Sequence, residues 1–164
     1  MSQMGNQGLT THSFNPVKRK LVSVHECLTQ LDEGLPRSKD AYISANRMTH
    51  SFVKSCFLMT IQRIIDINSI IIESRSGQSS HSKPRTFFLV RETGAIDDEI
   101  LNFFQHALHC YEKIVNPHDD LSDDGIYEIT RALLNHGRTY INQINNFFDT
   151  TGQMTSSYTL SASC

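Results

Sequence analysis

The stretch YEKIVNPHDDLSDDGIY, Tyr111 to Tyr127, decides how this chain is read, because it joins two strongly periodic segments through a polar, acidic turn marked by a proline. Upstream, Ile100, Leu101, Phe104, Leu108, Tyr111 and Val115 recur at helical spacing until Pro117. Downstream, Ile126, Ile129, Leu133, Leu134, Tyr140, Ile141, Ile144 and Phe148 do the same. Asp97, Asp98 and Glu99 put negative charge at the start of the first of these helices, where the helix dipole favours it, and Ser122 or Asp123 can cap the second. Gly137 weakens that second helix locally, by about 1 kcal/mol relative to alanine. Two amphipathic helices joined by a short polar turn pack antiparallel, and if the chain has a site it is expected at this turn.

On the N-terminal side, Thr86 to Thr93 reads as a short helix carrying Phe87, Phe88, Leu89 and Val90, with Gly94 placed to cap its end. The polar segment SGQSSHSKP, residues 76–84, is a loop. Before it lies the longest and most apolar element, capped by Ser38 or Asp40 and continuing without Gly or Pro to about Arg75. Its apolar positions are Ile43, Met48, Phe52, Cys56, Met59, Ile64, Ile67 and Ile71. The run IIDINSIII is β-branched enough for a strand, but it continues a helical pattern and has no partner strand. Gln62, Asp66, Ser69 and Glu73 form a polar stripe on this rod, and Arg63 is spaced to pair with Asp66.

A first amphipathic helix starts at Pro16, carries Val17, Leu21, Val24, Leu28 and Leu31, and ends at Gly34 and Pro36. Residues 1–15 and 150–164 are poor in apolar side chains and are expected to be a disordered lead-in and tail. The expectation is an all-α fold: an up-and-down helical bundle of four main helices plus one short helix, spanning residues 16–149.

With 38% hydrophobic and 20% charged residues over 164 positions, one core is the natural organisation. A net charge of −2 provides no basic footprint for strong non-specific nucleic-acid binding. The one dense basic cluster, Lys18, Arg19 and Lys20, reads as a solvated helix face. The N-terminus lacks the apolar run of a secretory signal, and no run of about 18 apolar residues stands out as a membrane span, so a cytoplasmic location is expected. Cys27, Cys56, Cys110 and Cys164 are scattered and read as reduced, small hydrophobic residues.

The residue types for two chemistries are present. His106, His109 and Cys110 lie within about one helical turn, near His118 and four aspartates, but any histidine-rich helix produces such spacings, and no metal or cofactor is assigned. The acids Asp119, Asp120, Asp123 and Asp124 lack the alternating ligands of a calcium loop and read as a capped helix start. Cys110 with His109 or His106 supplies the residue types of a nucleophile and base. Adjacent helical residues point apart, however, which makes the His109 pairing poor, and a half-buried cysteine is the plainer reading.

Three stretches carry a resemblance: IIDI at Ile64 to Ile67, PRTFFLVRETGAI at Pro84 to Ile96, and YEKIVNPHDDLSDDGIYEI at Tyr111 to Ile129. Over about Asn46 to Phe148, without a gap, the chain resembles the HepT-like branch of the HEPN superfamily. These are small all-helical proteins of bacterial toxin–antitoxin systems, encoded beside minimal nucleotidyltransferases. Lys113, Val115, Pro117, Asp119, Asp120, Tyr127 and Ile129 are typical of that family. The residues that carry its chemistry are exchanged: Tyr111 stands at the family's Arg, Glu112 at its Asn, Asn116 at its His and His118 at its Tyr. A rival register that sets His109 and Tyr111 on the family's His-x-Tyr puts Phe104 in place of the Arg and needs compensating gaps.

The resemblance implies a metal-independent ribonuclease whose Arg stabilises phosphate charge, whose His moves a proton, and whose Tyr is adenylylated by the partner. Tyr111 carries no positive charge and Asn116 does not titrate. The expectation is therefore a HepT-like protein without ribonuclease activity that acts as a homodimer and through a nucleotidyltransferase antitoxin; RNA binding has no support from charge. Two alternatives stand beside it. One is an active toxin ribonuclease with a site rearranged around His118, Lys113 and Glu112. The other is an unrelated helical adaptor.

Overall fold

The computed structural model describes the backbone of residues 11–78, 81–116 and 118–160, and the side chains of those from 16 to 151. Six helices follow one another among them: α1 (Thr11–Gly34), α2 (Lys39–Ile43), α3 (Arg47–Ser76), α4 (Lys83–Glu92), α5 (Asp98–Val115) and α6 (Asp123–Leu160). No strand occurs among the described residues, and the IIDINSIII run lies within α3.

Contacts between side chains fix the helix directions. Lys20 meets Asp66 while Arg63 reaches the carbonyl of Ser23, so α1 and α3 run antiparallel. Asn68 meets Tyr140 and Arg75 meets Phe147, so α3 and α6 run parallel. Asp97 bonds Gln143 while Phe103 stacks on His136, so α5 opposes α6. Direction thus alternates along α1, α3, α5 and α6, the up-and-down order expected of four main helices, and α4 packs on α3 and α5. The bundle closes where α1 meets α6. Arg138 donates to Asp32 at 2.8 Å there, and a Cβ at Gly137 would lie 3.0 Å from both methyl groups of the buried Leu28. Gly137 is therefore a close-approach position as well as a weak helix former.

The core joins the expected stripes of α1, α5 and α6 to α3, except that Val115 at the end of α5 is exposed and Tyr111 and Ile141 are only half-buried. Val17, Leu21, Val24, Leu28 and Leu31 are all buried, as are Phe104, Leu133, Tyr140 and Ile144. At its centre the Tyr140 hydroxyl donates to Asn68 Oδ1 at 2.7 Å. Phe104 meets the Tyr140 ring edge-on, and Phe87 stacks on Phe104. One aromatic cluster therefore ties α3, α4, α5 and α6 together.

Several expectations need correction. The long second helix is two elements: α2 ends at Ile43, and Asn46 starts α3 by accepting the Thr49 N–H at 2.9 Å. An asparagine whose side chain caps the backbone ends and restarts a helix without Gly or Pro. Ser38 does cap α2, accepting from the Ala41 N–H. Only part of the expected α3 stripe is core: Cys56, Ile64, Ile67 and Ile71 are buried, whereas Met48 is 80% exposed, and Ile43, Phe52 and Met59 are also exposed. Arg63 does not pair with Asp66. It reaches across to the Ser23 carbonyl at 3.3 Å, and Asp66 pairs with Lys20 instead.

Helix α1 already begins at Thr11, and α6 continues past Phe148 to Leu160. Low hydrophobicity predicts a lack of core contacts, which is a different property from a lack of helix. Residues 1–10 and 161–164 lie outside the described residues. Helix α3 is, by length and composition, apolar enough to cross a membrane, contrary to expectation. Within the bundle, 56% of that apolar window is buried against the other helices, the pattern of a central core helix. The short helix α4 starts at Lys83, with Pro84 in its first turn, and Gly94 (φ 83°) follows its end as expected.

Removing the central hydrogen bond tests how far it determines the packing. Tyr140→Phe leaves a buried amide oxygen unpaired and is expected to cost about 1–3 kcal/mol in urea unfolding. Tyr140→Phe with Asn68→Leu is expected to recover most of that loss. A single variant as stable as the wild type would contradict this assignment.

Candidate functional site

The turn between α5 and α6 is built by one side chain. Asn116 closes α5 through its backbone N–H to the Glu112 carbonyl at 3.0 Å. Its Oδ1 accepts the His118 N–H at 3.2 Å, its Nδ2 donates to Asp119 Oδ2 at 3.2 Å, and its carbonyl accepts the Asp119 N–H. This Asx-turn arrangement uses both ends of the amide to hold the chain as it leaves the helix. Ser122 then caps α6, its Oγ accepting from the Gly125 N–H and its carbonyl from the Ile126 N–H. Pro117 lies outside the described residues.

The other motif positions are held from α4. Lys83 Nζ lies 4.7 Å from the centroid of the half-buried Tyr111 ring and 3.3 Å from a Glu112 carboxylate oxygen. A cation thus sits over the Tyr111 ring, contributed by a residue 28 positions earlier in the chain. Exposed pairs of this kind contribute little stability, on the order of 0–1 kcal/mol, so their effect is to orient the side chains. Lys113 is half-buried and His118 is exposed, and among the described residues no hydrogen bond or ion pair joins the side chain of either to the other or to Glu112.

Across the turn, α2 and the start of α3 grip the beginning of α6. Lys39 Nζ is 2.5 Å from Glu128 and 3.4 Å from Asp124. His50 donates from Nε2 to the Tyr42 carbonyl at 2.6 Å and directs Nδ1 toward Asp123 at 3.8 Å. The Tyr42 ring packs on His50 at 4.7 Å and on Tyr127 at 5.8 Å. Asp123 and Asp124 therefore serve as clamp points, where the sequence alone suggested solvated acids. Sequence reasoning missed Lys39, His50 and Lys83, all of which reach the turn from distant segments. The one local signal was the excess of acids in 119–124, which called for cations from elsewhere.

The remaining candidate groups lie apart from this turn. Cys110 is buried, with its Sγ 3.9 Å from His106 Nε2, and burial pushes its thiol pKa up, which disfavours the reactive thiolate. His106 and His109 are exposed. Among the described residues, no group of three His, Cys, Asp or Glu side chains comes together as a metal site. Cys27, Cys56 and Cys110 are free thiols in the core, and Cys164 is outside the described residues.

Neither a scan of protein-family models nor a search of curated proteins finds a match to this chain. Solved structures do match. A tri-AMPylated Shewanella oneidensis HEPN toxin in complex with MNT antitoxin superposes with a TM-score of 0.71 and 13% identity, over 79% of this chain and 96% of that one. A toxin–antitoxin structure with AMP-PNP gives a TM-score of 0.70 and 13% identity, over 79% and 97%. The all-α bundle described above therefore has the same fold as these solved structures. At this identity the likeness is one of fold, and the motif residues are judged on their own geometry.

Tyr42 offers a pH test of how the turn is packed. Its hydroxyl is buried without a partner, and its pKa is pushed up to about 12, first by burial and then by Asp123. Because the folded value lies above the unfolded value of about 10, the stability it contributes is present below pH 10 and is lost as the pH rises toward 12. Tyr42→Phe is expected to remove about 2–3 kcal/mol of that alkaline loss, without lowering stability at pH 7, because no hydrogen bond is broken. The check is urea unfolding at pH 7 and across pH 9.5–12. An alkaline loss unchanged by the substitution would contradict the assignment.

Proposed function

We propose that this chain is a HepT-like HEPN protein of a toxin–antitoxin pair in which the motif turn has lost ribonuclease chemistry and the protein acts through binding. The observation that carries this reading is the state of Asn116. It stands at the family's His, and both ends of its amide are committed to the turn. An amide has no proton to exchange near neutral pH, so the general acid–base step has no agent at that position. Tyr111 supplies no charge, and the cation over its ring, Lys83, already faces Glu112. That pairing lowers the positive potential available to a phosphate.

The rival reading, a ribonuclease rearranged around His118, Lys113 and Glu112, needs these three side chains to converge. Glu112 is directed to Lys83 instead, and His118 is exposed. Catalysis loses large factors for displacements near 1 Å, so a site assembled from separated groups is disfavoured. The partner in this reading is a minimal nucleotidyltransferase of the kind denoted by the MNT antitoxin bound to the Shewanella oneidensis toxin. In this chain the position of the family's adenylylated Tyr is His118, which lacks a phenol, so recognition by such a partner would rest on the surface of the turn. A homodimer and a cytoplasmic location complete the proposal.

Two measurements test it. Light scattering of the purified chain is expected to give twice the 18.6 kDa monomer mass, and a nucleotidyltransferase encoded beside it is expected to co-purify. Expression of the wild-type chain without that partner is expected to leave bacterial growth unchanged. Growth arrest relieved by His118→Ala at equal protein level would favour the rearranged ribonuclease.

A further inference from the structure

Helix α4 packs one face into the bundle and turns the other outward. Thr86, Phe87 and Val90 are buried. Arg85, Phe88, Leu89 and Glu92 follow one another at steps of three, one and three residues, which puts them together on the outer face of the helix. These four line a shallow depression of about 520 Å³. Phe88 is 50% exposed and Leu89 is half-buried, so the middle of the face is apolar and open to water.

Opposite charges stand at its two ends. Neither Arg85 nor Glu92 has an ion-pair partner among the described residues, whereas Lys83 and Arg91 of the same helix pair with Glu112 and Asp98. Two helical turns, roughly 10 Å of rise, separate Arg85 from Glu92, too far for a direct pair between them.

The order of these residues makes the face its own complement. A two-fold axis passing between Phe88 and Leu89 lays a second α4 antiparallel on the first. Arg85 then meets Glu92 of the second copy, Phe88 meets its Leu89, and each contact occurs twice, as a two-fold interface requires. A parallel pair would instead oppose arginine to arginine and glutamate to glutamate, which is costly. A dissimilar partner imposes no such symmetry on the residues, whereas a second copy does. One ten-residue helix from each copy makes a contact at the small end of protein interfaces, so association in the micromolar range is expected.

We infer that the outer face of α4 is a self-association surface, on which two copies of this chain pack antiparallel through Phe88 and Leu89 with Arg85 and Glu92 paired at the rim. The inference deepens the homodimer named in the proposed function and is independent of the chemistry at the α5–α6 turn. Lys83 on the same helix holds Tyr111 and Glu112, so the pairing would also fix the two turns relative to each other.

The test is analytical ultracentrifugation of the full-length chain and its charge variants over about 1–300 µM, with circular dichroism as the check on folding. The wild type is expected to dimerise within this range. Arg85→Glu gathers four carboxylates in the contact and Glu92→Arg gathers four guanidinium groups, so each variant alone is expected to associate at least tenfold more weakly. An equimolar mixture of the two is expected to restore the dimer, because every rim pair is then of opposite sign. Phe88→Ala is expected to weaken it about tenfold. Association of wild-type strength in both charge variants would leave the homodimer standing and overturn this surface. A mixture no tighter than its separate components would also overturn it. A wild type that stays monomeric throughout would overturn both the surface and the homodimer, and a monomer that binds a nucleotidyltransferase through Phe88 would give the face to that partner instead.

Discussion

The buried hydrogen bond from Tyr140 to Asn68 is the constraint on which the arrangement of the bundle depends. Both groups are fully buried, and their elements meet 72 residues apart in the chain. Helices with apolar faces can slide past one another by a turn at modest cost, because one aliphatic contact replaces another. A polar pair in the same core cannot slide, since any other register leaves both the hydroxyl and the amide without a partner. The pair also carries the aromatic contacts, with Phe104 edge-on to Tyr140 and Phe87 stacked on Phe104. Once α3 and α6 are set parallel at this level, the positions of α4 and α5 follow.

That register determines what surrounds the α5–α6 turn. With α6 held along α3, its first turn lies beside α2 and the start of α3, where Lys39 and His50 face Asp124 and Asp123. Packing of α4 on α5 likewise brings Lys83 to Tyr111 and Glu112. Asp123, Asp124, Tyr111 and Glu112 are thus engaged by neighbouring elements. The proposed binding role rests on this engagement, with Tyr111 uncharged and the Asn116 amide committed to the turn. The Asn116 amide, which cannot shuttle a proton, is well suited to closing an Asx turn.

Much of this was legible in the sequence, for definite reasons. Helices α1, α5 and α6 bury one face each, so residues such as Val24, Phe104 and Leu133 announce themselves by spacing. Helix α3 carries apolar residues beyond its core face, so periodicity could not tell the buried Ile64 and Ile71 from the exposed Met48 and Phe52 near its start. The break at Ser44 to Asn46 was hidden because a side-chain cap produced it, with no Gly or Pro to mark it. At the site, the local turn chemistry of Ser122 and the acids was readable. The partners Lys39, His50 and Lys83 were not, because their placement depends on tertiary packing. Asn68 looked like part of a strand-like run and gave no sign that it held the centre of the core.

We propose that this bundle, which shares its fold with the HEPN toxin structure, has no catalytic agent at its α5–α6 turn. The most direct measurement is cleavage of a mixed single-stranded RNA by the purified protein in chelator-treated buffer, compared with its His118→Ala variant. The account predicts cleavage no faster than in buffer alone for both. Metal-independent cleavage by the wild type that disappears in a folded His118→Ala variant would contradict it.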